Sequence, residues 1–250
     1  MTKQILESTL EWCDEKAQVG GMYKIRLDDL APTQFAVGRA EMLVRSARMK
    51  KKYGQDPQKL SDYLHVRPVP VVRRKKKFYL VDHHHLARAL YEAMQPQQAG
   101  EIGIPVKLLF DASSLHETYF WKTMHAGNWI YLFDHEGGGP KPPQTLPKHI
   151  KDLEFDPFRS LAWIVKERHG YLKTNAPFSE YKWANFLRTR LMLDNDILAG
   201  KPTFDLSGFK VDENGEVTLT ADGHEAIEEA MFLVTTEEVR GLPGYRGPGT

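Results

Sequence analysis

The chain has 250 residues, with 34 basic against 33 acidic side chains and a formal net charge of +1. That length buries either one elaborated domain or an ordinary domain with an extension, and near-neutrality confines any contact with nucleic-acid phosphates to local basic patches. A single cysteine, Cys13, excludes an intramolecular disulfide and a zinc ribbon, while Met1–Lys16 lacks the apolar run of an export signal or membrane span, so a cytoplasmic location is expected.

Met22–Leu27 alternates apolar and polar residues like a half-buried strand, and Asp28–Gln34, with Pro32, reads as the turn leaving it. Gly38 introduces a helix over Arg39–Tyr53, apolar on one face and carrying Arg45, Arg48 and Lys50–Lys52 on the other. Asp56-Pro57 is a helix start, with a capping carboxylate and a proline in the first turn, for a helix to about Leu64. Val69–Arg73 and Lys77–Val81 are β-rich runs around the charged tip Arg74-Lys-Lys76. Leu86, Ala89, Leu90 and Ala93 recur at helical spacing to Met94, Ile104–Phe110 is one more strand, and Ser113–His125 reads as a helix.

The Gly- and Pro-rich stretch Asp134–Pro143 is the expected boundary between an α+β domain, 1–135, and a mainly helical C-terminal extension, 136–250. In the extension, Asp156-Pro157 opens a helix ending near Gly170, and Pro177 opens another that carries Phe178, Tyr181, Trp183, Phe186 and Leu187. Phe209–Val211 and Val217–Thr220 are a candidate hairpin across Glu213-Asn-Gly215, and the tail from Gly241 to Gly249 is too rich in Gly and Pro for a helix or a central strand.

Asp82, His83, His84 and His85 fall where the pattern changes from strand to helix. A helix N-terminus offers unpaired N–H groups and a partial positive charge, which suits phosphate. There Asp82 can cap the helix and orient an imidazole, while the histidines can donate to an anion, exchange a proton or ligate a metal. Three consecutive helical histidines point about 100° apart and do not converge on one ion. Two of them could instead join a ligand from elsewhere, for which His125, His135 and Glu136 are available, and the metal candidates are Asp82, His84 and His125.

Pro32-Thr-Gln34, Pro68-Val-Pro-Val-Val72, Tyr79-Leu-Val-Asp-His-His-His85 and Ala87-Arg-Ala-Leu90, in that order, resemble the ParB/sulfiredoxin superfamily. Asp156-Pro-Phe-Arg-Ser-Leu-Ala-Trp163 and Ala176–Leu187 extend the resemblance to its ParB-like nuclease branch. The resemblance implies a ParB/sulfiredoxin-like α+β domain with a small mixed sheet. It also implies a nucleotide-phosphate site formed by Thr33, Gln34, Gly38, Arg39 and His83, with Asp82, His84 and His85 as its reactive groups. At the family's glycine stands His83, and at its phosphate-binding arginine stands Leu86. The triplet Asp82-His-His84 is also shared with the DHH phosphoesterases, but no Asp-x-Asp pair precedes it and the proline-bounded strands speak against a doubly wound sheet.

Two functions compete on this reading. One is an enzyme acting on a phosphate-bearing small molecule or nucleotide with Mg2+, by phosphoryl transfer or hydrolysis. The other is a nucleic-acid-binding protein or nuclease whose backbone contacts are Arg45, Arg48, Lys50–Lys52 and Arg73–Lys77, with an inactive binding module as a third outcome.

Overall fold

The structure, a computed structural model, describes residues 10–54, 56–94, 102–196, 205 and 207–248. The alternating segment after Gly21 forms β1 (Met22–Arg26), and the stretch expected to be only a turn contains a short strand, β2 (Leu30–Pro32). Leu30 and Pro32 are buried beside β5, so tertiary pairing draws the backbone out straight where the local sequence suggests a bend. After β3 (Ala36–Val37) comes α1 (Arg39–Tyr53), and then α2 (Pro57–His65), whose cap Asp56 accepts the Lys59 N–H at 3.2 Å.

The hairpin β4 (Val69–Arg74) and β5 (Lys77–Leu80) leads directly to α3 (His84–Ala93). With β6 (Gly103–Asp111) the strands form one mixed sheet in the order β1-β6-β4-β5-β2. β1/β6 and β4/β5 are antiparallel, whereas β4/β6 and β2/β5 are parallel. Helix α4 (Glu117–Ala126) starts later than its sequence pattern suggests, because Ser113 is held in a turn by Asp111 Oδ1 and the His116 side chain takes the capping place.

Beyond Asp134–Pro143, β7 (Glu154–Phe155) runs parallel to β3, so residues far apart in sequence share a two-residue ladder. Then follow α5 (Pro157–Glu167), α6 (Ser179–Asp196), the hairpin β8 (Phe209–Val211) and β9 (Val217–Leu219), and α7 (Ala221–Leu233). The architecture is α+β, a small mixed sheet with helices followed by a mainly helical second half.

Helix α7 was not anticipated. Its cap is Thr220, whose hydroxyl accepts the Gly223 N–H at 3.2 Å, and it buries Ala226, Ile227, Ala230 and Leu233. Gly223 and His224 weaken the local helical signal, and packing supplies what propensity does not.

Helix α1 joins two cores. Met42 and Met49 pack with the sheet residues Val69, Val71 and Leu108, whereas Ala40 and Val44 pack with Leu161, Val165 and Leu187 of α5 and α6. A third cluster, centred on Val72, Tyr79, Phe120 and Met124, holds α4 on the sheet. Among the described residues no helix is long and apolar enough to cross a membrane. Residues 1–9 of the N-terminal stretch and Gly249 of the tail lie outside the described residues.

Candidate functional site

A cleft of about 740 Å³ opens between the start of α3 and the segment Lys173–Tyr181. All four residues of the Asp82–His85 run line it, together with Gln34, Glu41 and Arg45 from the first half and Arg159, Glu180 and Tyr181 from the second. The sequence-derived corner is therefore an open recess, but its imidazoles are arranged differently from expectation.

His84 is buried, and its Nε2 accepts the Thr33 N–H at 3.1 Å while the Thr33 hydroxyl donates to Leu80 O at 2.6 Å. His85 Nε2 accepts the Gly38 N–H at 2.9 Å. An acceptor nitrogen carries no proton, so both rings are neutral with Nδ1–H. Burial, reinforced by His83, pushes the His84 imidazole down to about 3, and burial likewise holds His85 well below its ordinary value against the opposing pull of Glu41. Both Nε2 atoms fasten α3 to the turns before α1.

Asp82 is exposed and does not cap α3. Its Oδ1 accepts the His83 N–H at 2.6 Å, and His83 itself occupies the capping position without a side-chain cap bond. His83 has φ +66°, the left-handed conformation that favours the glycine of the family motif, so the turn is preserved although the side chain is not glycine. Its buried Nδ1 has no hydrogen-bond partner among the described residues, and burial lowers the affinity of the ring for a proton, with Asp82 pulling the other way.

The remaining expected phosphate contacts divide. Thr33 commits both donors internally, and Gln34 Nε2 donates to Ala36 O and to Tyr181 OH, each at 2.8 Å. Gly38 gives its N–H to His85. Arg39 is not among the cleft's lining residues; its guanidinium lies 5.9 Å from the Phe155 ring centre. His125 lines a different hollow with His116 and Trp121, and His135 pairs with Glu154 at 2.7 Å, so the metal candidates Asp82, His84 and His125 are not gathered. Among the described residues no group of three His, Cys, Asp or Glu side chains could hold a metal ion.

The positive charge comes from Arg45, one of the basic residues of α1, and from Arg159, Arg67 and Lys173. Arg159 is 4% exposed and donates through Nη2 to Glu41 Oε2 at 2.9 Å, while its Nε and Nη1 have no acceptor among the described residues. Glu41 Oε1 accepts from Arg45 Nε at 3.0 Å and from Nη2 at 2.8 Å. Burial opposes ionisation of Glu41, but the field of the His85 site, Arg159, Arg45 and Lys166 overrides it and holds the carboxyl well below the usual range. Since His85 is neutral, the guanidiniums do most of this. Arg67 and Lys173, both exposed, complete the cationic lining.

Arg159 stands at a helix start, where the sequence allows an anion contact or a structural salt bridge, and the structure shows the salt bridge to Glu41. Residues Phe158–Val165 of α5 are all buried, and an arginine inside such a run needs a partner or a ligand. The backbone gives another sign: of the five described non-glycine residues with positive φ, His83, Asn128 and Phe178 line this cleft, and such conformations gather at functional sites. Of the basic stretches, Arg73 is withdrawn from any surface role. Its guanidinium is buried and bonded to Asp111 at 2.6 Å and to the carbonyls of Asp14 and Ala17.

The sequence pattern of the family described as "Putative ParB-like nuclease" matches residues 23–189. The chain belongs to the ParB-like nuclease family. The match begins in β1 and ends in α6, so it spans both walls of the cleft. The crystal structure of protein Atu1540 from Agrobacterium tumefaciens is similar over 91% of this chain and 98% of that one, at 33% identity and a TM-score of 0.67. A comparison with curated proteins gives no match.

Proposed function

We propose that the cleft binds a phosphate-bearing ligand and that the protein acts on its phosphate, by transfer or hydrolysis. The observation that carries this reading is the buried guanidinium of Arg159, a residue of the cleft lining whose Nε and Nη1 have no acceptor among the described residues. Buried donors without acceptors are costly, and a bound oxyanion would satisfy them. The first-turn N–H groups of α3 add a partial positive charge, and Arg45, Arg67 and Lys173 neutralise a dianion.

On this reading Asp82 and His83 stand nearest the chemistry. A neutral imidazole beside an exposed carboxylate can take a proton from an attacking hydroxyl or water at neutral pH. His84 and His85 act one step back, by fixing the first turn of α3. Magnesium, if the ligand brings it, would rest on Asp82 and on phosphate oxygens, since this ion is commonly held by one or two carboxylates plus substrate phosphate.

Thermal melting with inorganic phosphate, pyrophosphate and nucleotides, with and without Mg2+, tests the binding. A ligand present at 100 times its Kd stabilises the fold by about 2.7 kcal/mol. Lys173→Ala, at an exposed position, should reduce that shift without changing the melting of the free protein. His83→Ala should abolish phosphate release while leaving binding in place. A melting temperature indifferent to every phosphate-bearing compound would remove the proposal.

A further inference from the structure

Beside the cleft lies a second recess of about 590 Å³, walled by α1, by Tyr63 of α2, and by the end of α5 with the turn after it. It shares Glu41, Arg45 and Lys173 with the cleft, while its other lining residues stay outside the cleft. We infer that this recess is a second ligand site, for a carboxylate borne on a flat apolar body such as an aromatic acid, and that its occupant opposes phosphate in the cleft. The opposition rests on the phosphate reading above; the site itself does not.

The walls set the body of the ligand. Tyr53, Tyr63, Trp163 and Tyr171 bring four aromatic residues to the recess, and Val44 and Met49 add aliphatic surface from α1. Leu172, also in the lining, is 57% exposed, an apolar side chain that little of the protein covers. Small-molecule sites of this size are mostly apolar and aromatic, with a few polar groups that fix orientation.

The charges set its headgroup. Both acids of the lining are committed, Glu41 to Arg45 and Arg159, and Glu167 to Lys166 at 3.5 Å. Arg48 and Lys173, both exposed, make no ion pair among the described residues. The uncompensated charge is therefore positive, and the planar fork of a guanidinium matches a carboxylate. A neutral arene would leave these cations unanswered, and a small acid would leave the aromatic wall wet.

The turn after α5 adds a further sign. The His169 N–H donates to Lys166 O and the Gly170 N–H to Val165 O, each at 2.9 Å, the pattern that closes a helix through one left-handed residue. That residue is His169, with φ +64°, where glycine is the ordinary choice. An imidazole is thus kept on the recess lining at a position that favours no side chain at all. Because Arg45 and Lys173 face both hollows, a carboxylate in one draws on the cations of the other, and each occupant weakens its neighbour by the same factor.

Calorimetry on the intact protein with naphthoate, naphthamide, acetate and adenosine monophosphate tests the site. Naphthoate should bind at least about tenfold tighter than naphthamide, which lacks the charge, and than acetate, which lacks the rings. Arg48→Ala and Leu172→Ser, at exposed positions outside the cleft lining, should each weaken naphthoate about three- to tenfold and leave pyrophosphate binding as it was. Saturating naphthoate should weaken pyrophosphate about fivefold or more. Naphthamide or acetate equal to naphthoate, or an Arg48→Ala protein that holds naphthoate as before, would overturn the inference. So would adenosine monophosphate that binds tighter than naphthoate and loses its affinity with Arg48→Ala, since the recess would then be part of a nucleotide site. If naphthoate behaves as expected but pyrophosphate fails to bind, the phosphate reading falls and the second site stands. If both bind and ignore each other, the opposition alone is overturned.

Discussion

His84 and His85 are neutral acceptors inside the fold, and proton uptake by either ring deprives Thr33 or Gly38 of its partner. The folded-state affinity of both rings for protons lies below that of the unfolded chain, with His84 at about 3 against an ordinary 6.5. Their stabilisation is therefore complete above about pH 6.5 and is lost as the pH falls toward the folded value, because the unfolded chain takes up the protons first. His84 alone should cost about 2 kcal/mol by pH 5, at about 1.4 kcal/mol per unit. Glu41 is depressed in the same sense, but its contribution begins to fade only below its ordinary 4.5, so the window between pH 6.5 and 4.5 belongs to the histidines. Denaturant midpoints at pH 7.5, 6 and 5 measure this, and a flat profile would mean that the two rings are not acceptors. At this scale the sequence showed where the polar cluster sits but not which nitrogens are free, since Thr33 lies 51 residues from His84 and Gly38 lies 47 from His85.

Helix α1 and the start of α5 approach through Gly38. A Cβ at that position would stand 3.1 Å from the carbonyl carbon and oxygen of Arg159 and 3.2 Å from the Ser160 nitrogen, all backbone atoms. Gly38→Ala should therefore push the two helices apart, destabilise the protein by about 1–3 kcal/mol, and disturb the Arg159–Glu41 pair that shapes the cleft. Denaturant titration together with phosphate affinity checks both effects, and a variant of unchanged stability would contradict the packing. Most elements were legible because their signals are local. Asp56-Pro57 and Asp156-Pro157 announce α2 and α5, and the strand-to-helix change after Val81 announces α3. The two-residue ladder of β3 with β7 was not, for its pairing depends on chain segments more than a hundred residues apart.

At the scale of the whole molecule the two walls of the cleft are joined by the Arg159–Glu41 pair at 2.9 Å and by one phenol. Burial pushes the Tyr181 hydroxyl well above its ordinary ionisation range, so it stays protonated, accepts from Gln34 Nε2 at 2.8 Å and donates to Ala36 O at 2.5 Å. Tyr181→Phe should remove about 1–3 kcal/mol, since the Gln34 amide loses one of its two acceptors in a buried place. It should also weaken phosphate binding more than the stability loss alone explains, which parallel melting and calorimetry would show. A Phe variant as stable as the parent would mean that the second half is held in place by other contacts, such as Arg159 with Glu41 at 2.9 Å. The pairing of Arg159 with Glu41 was hidden from sequence for the same reason, because the two lie 118 residues apart.

The clasp between Gln34 and Tyr181 spans 147 residues of chain. At the usual pace of translation, about 5–20 residues per second, the turn bearing Gln34 leaves the ribosome about 7–30 s before the tyrosine that completes it. During that interval the sheet can assemble, but the recess has only one wall, so a nascent chain cannot hold its ligand before the start of α6 has been made.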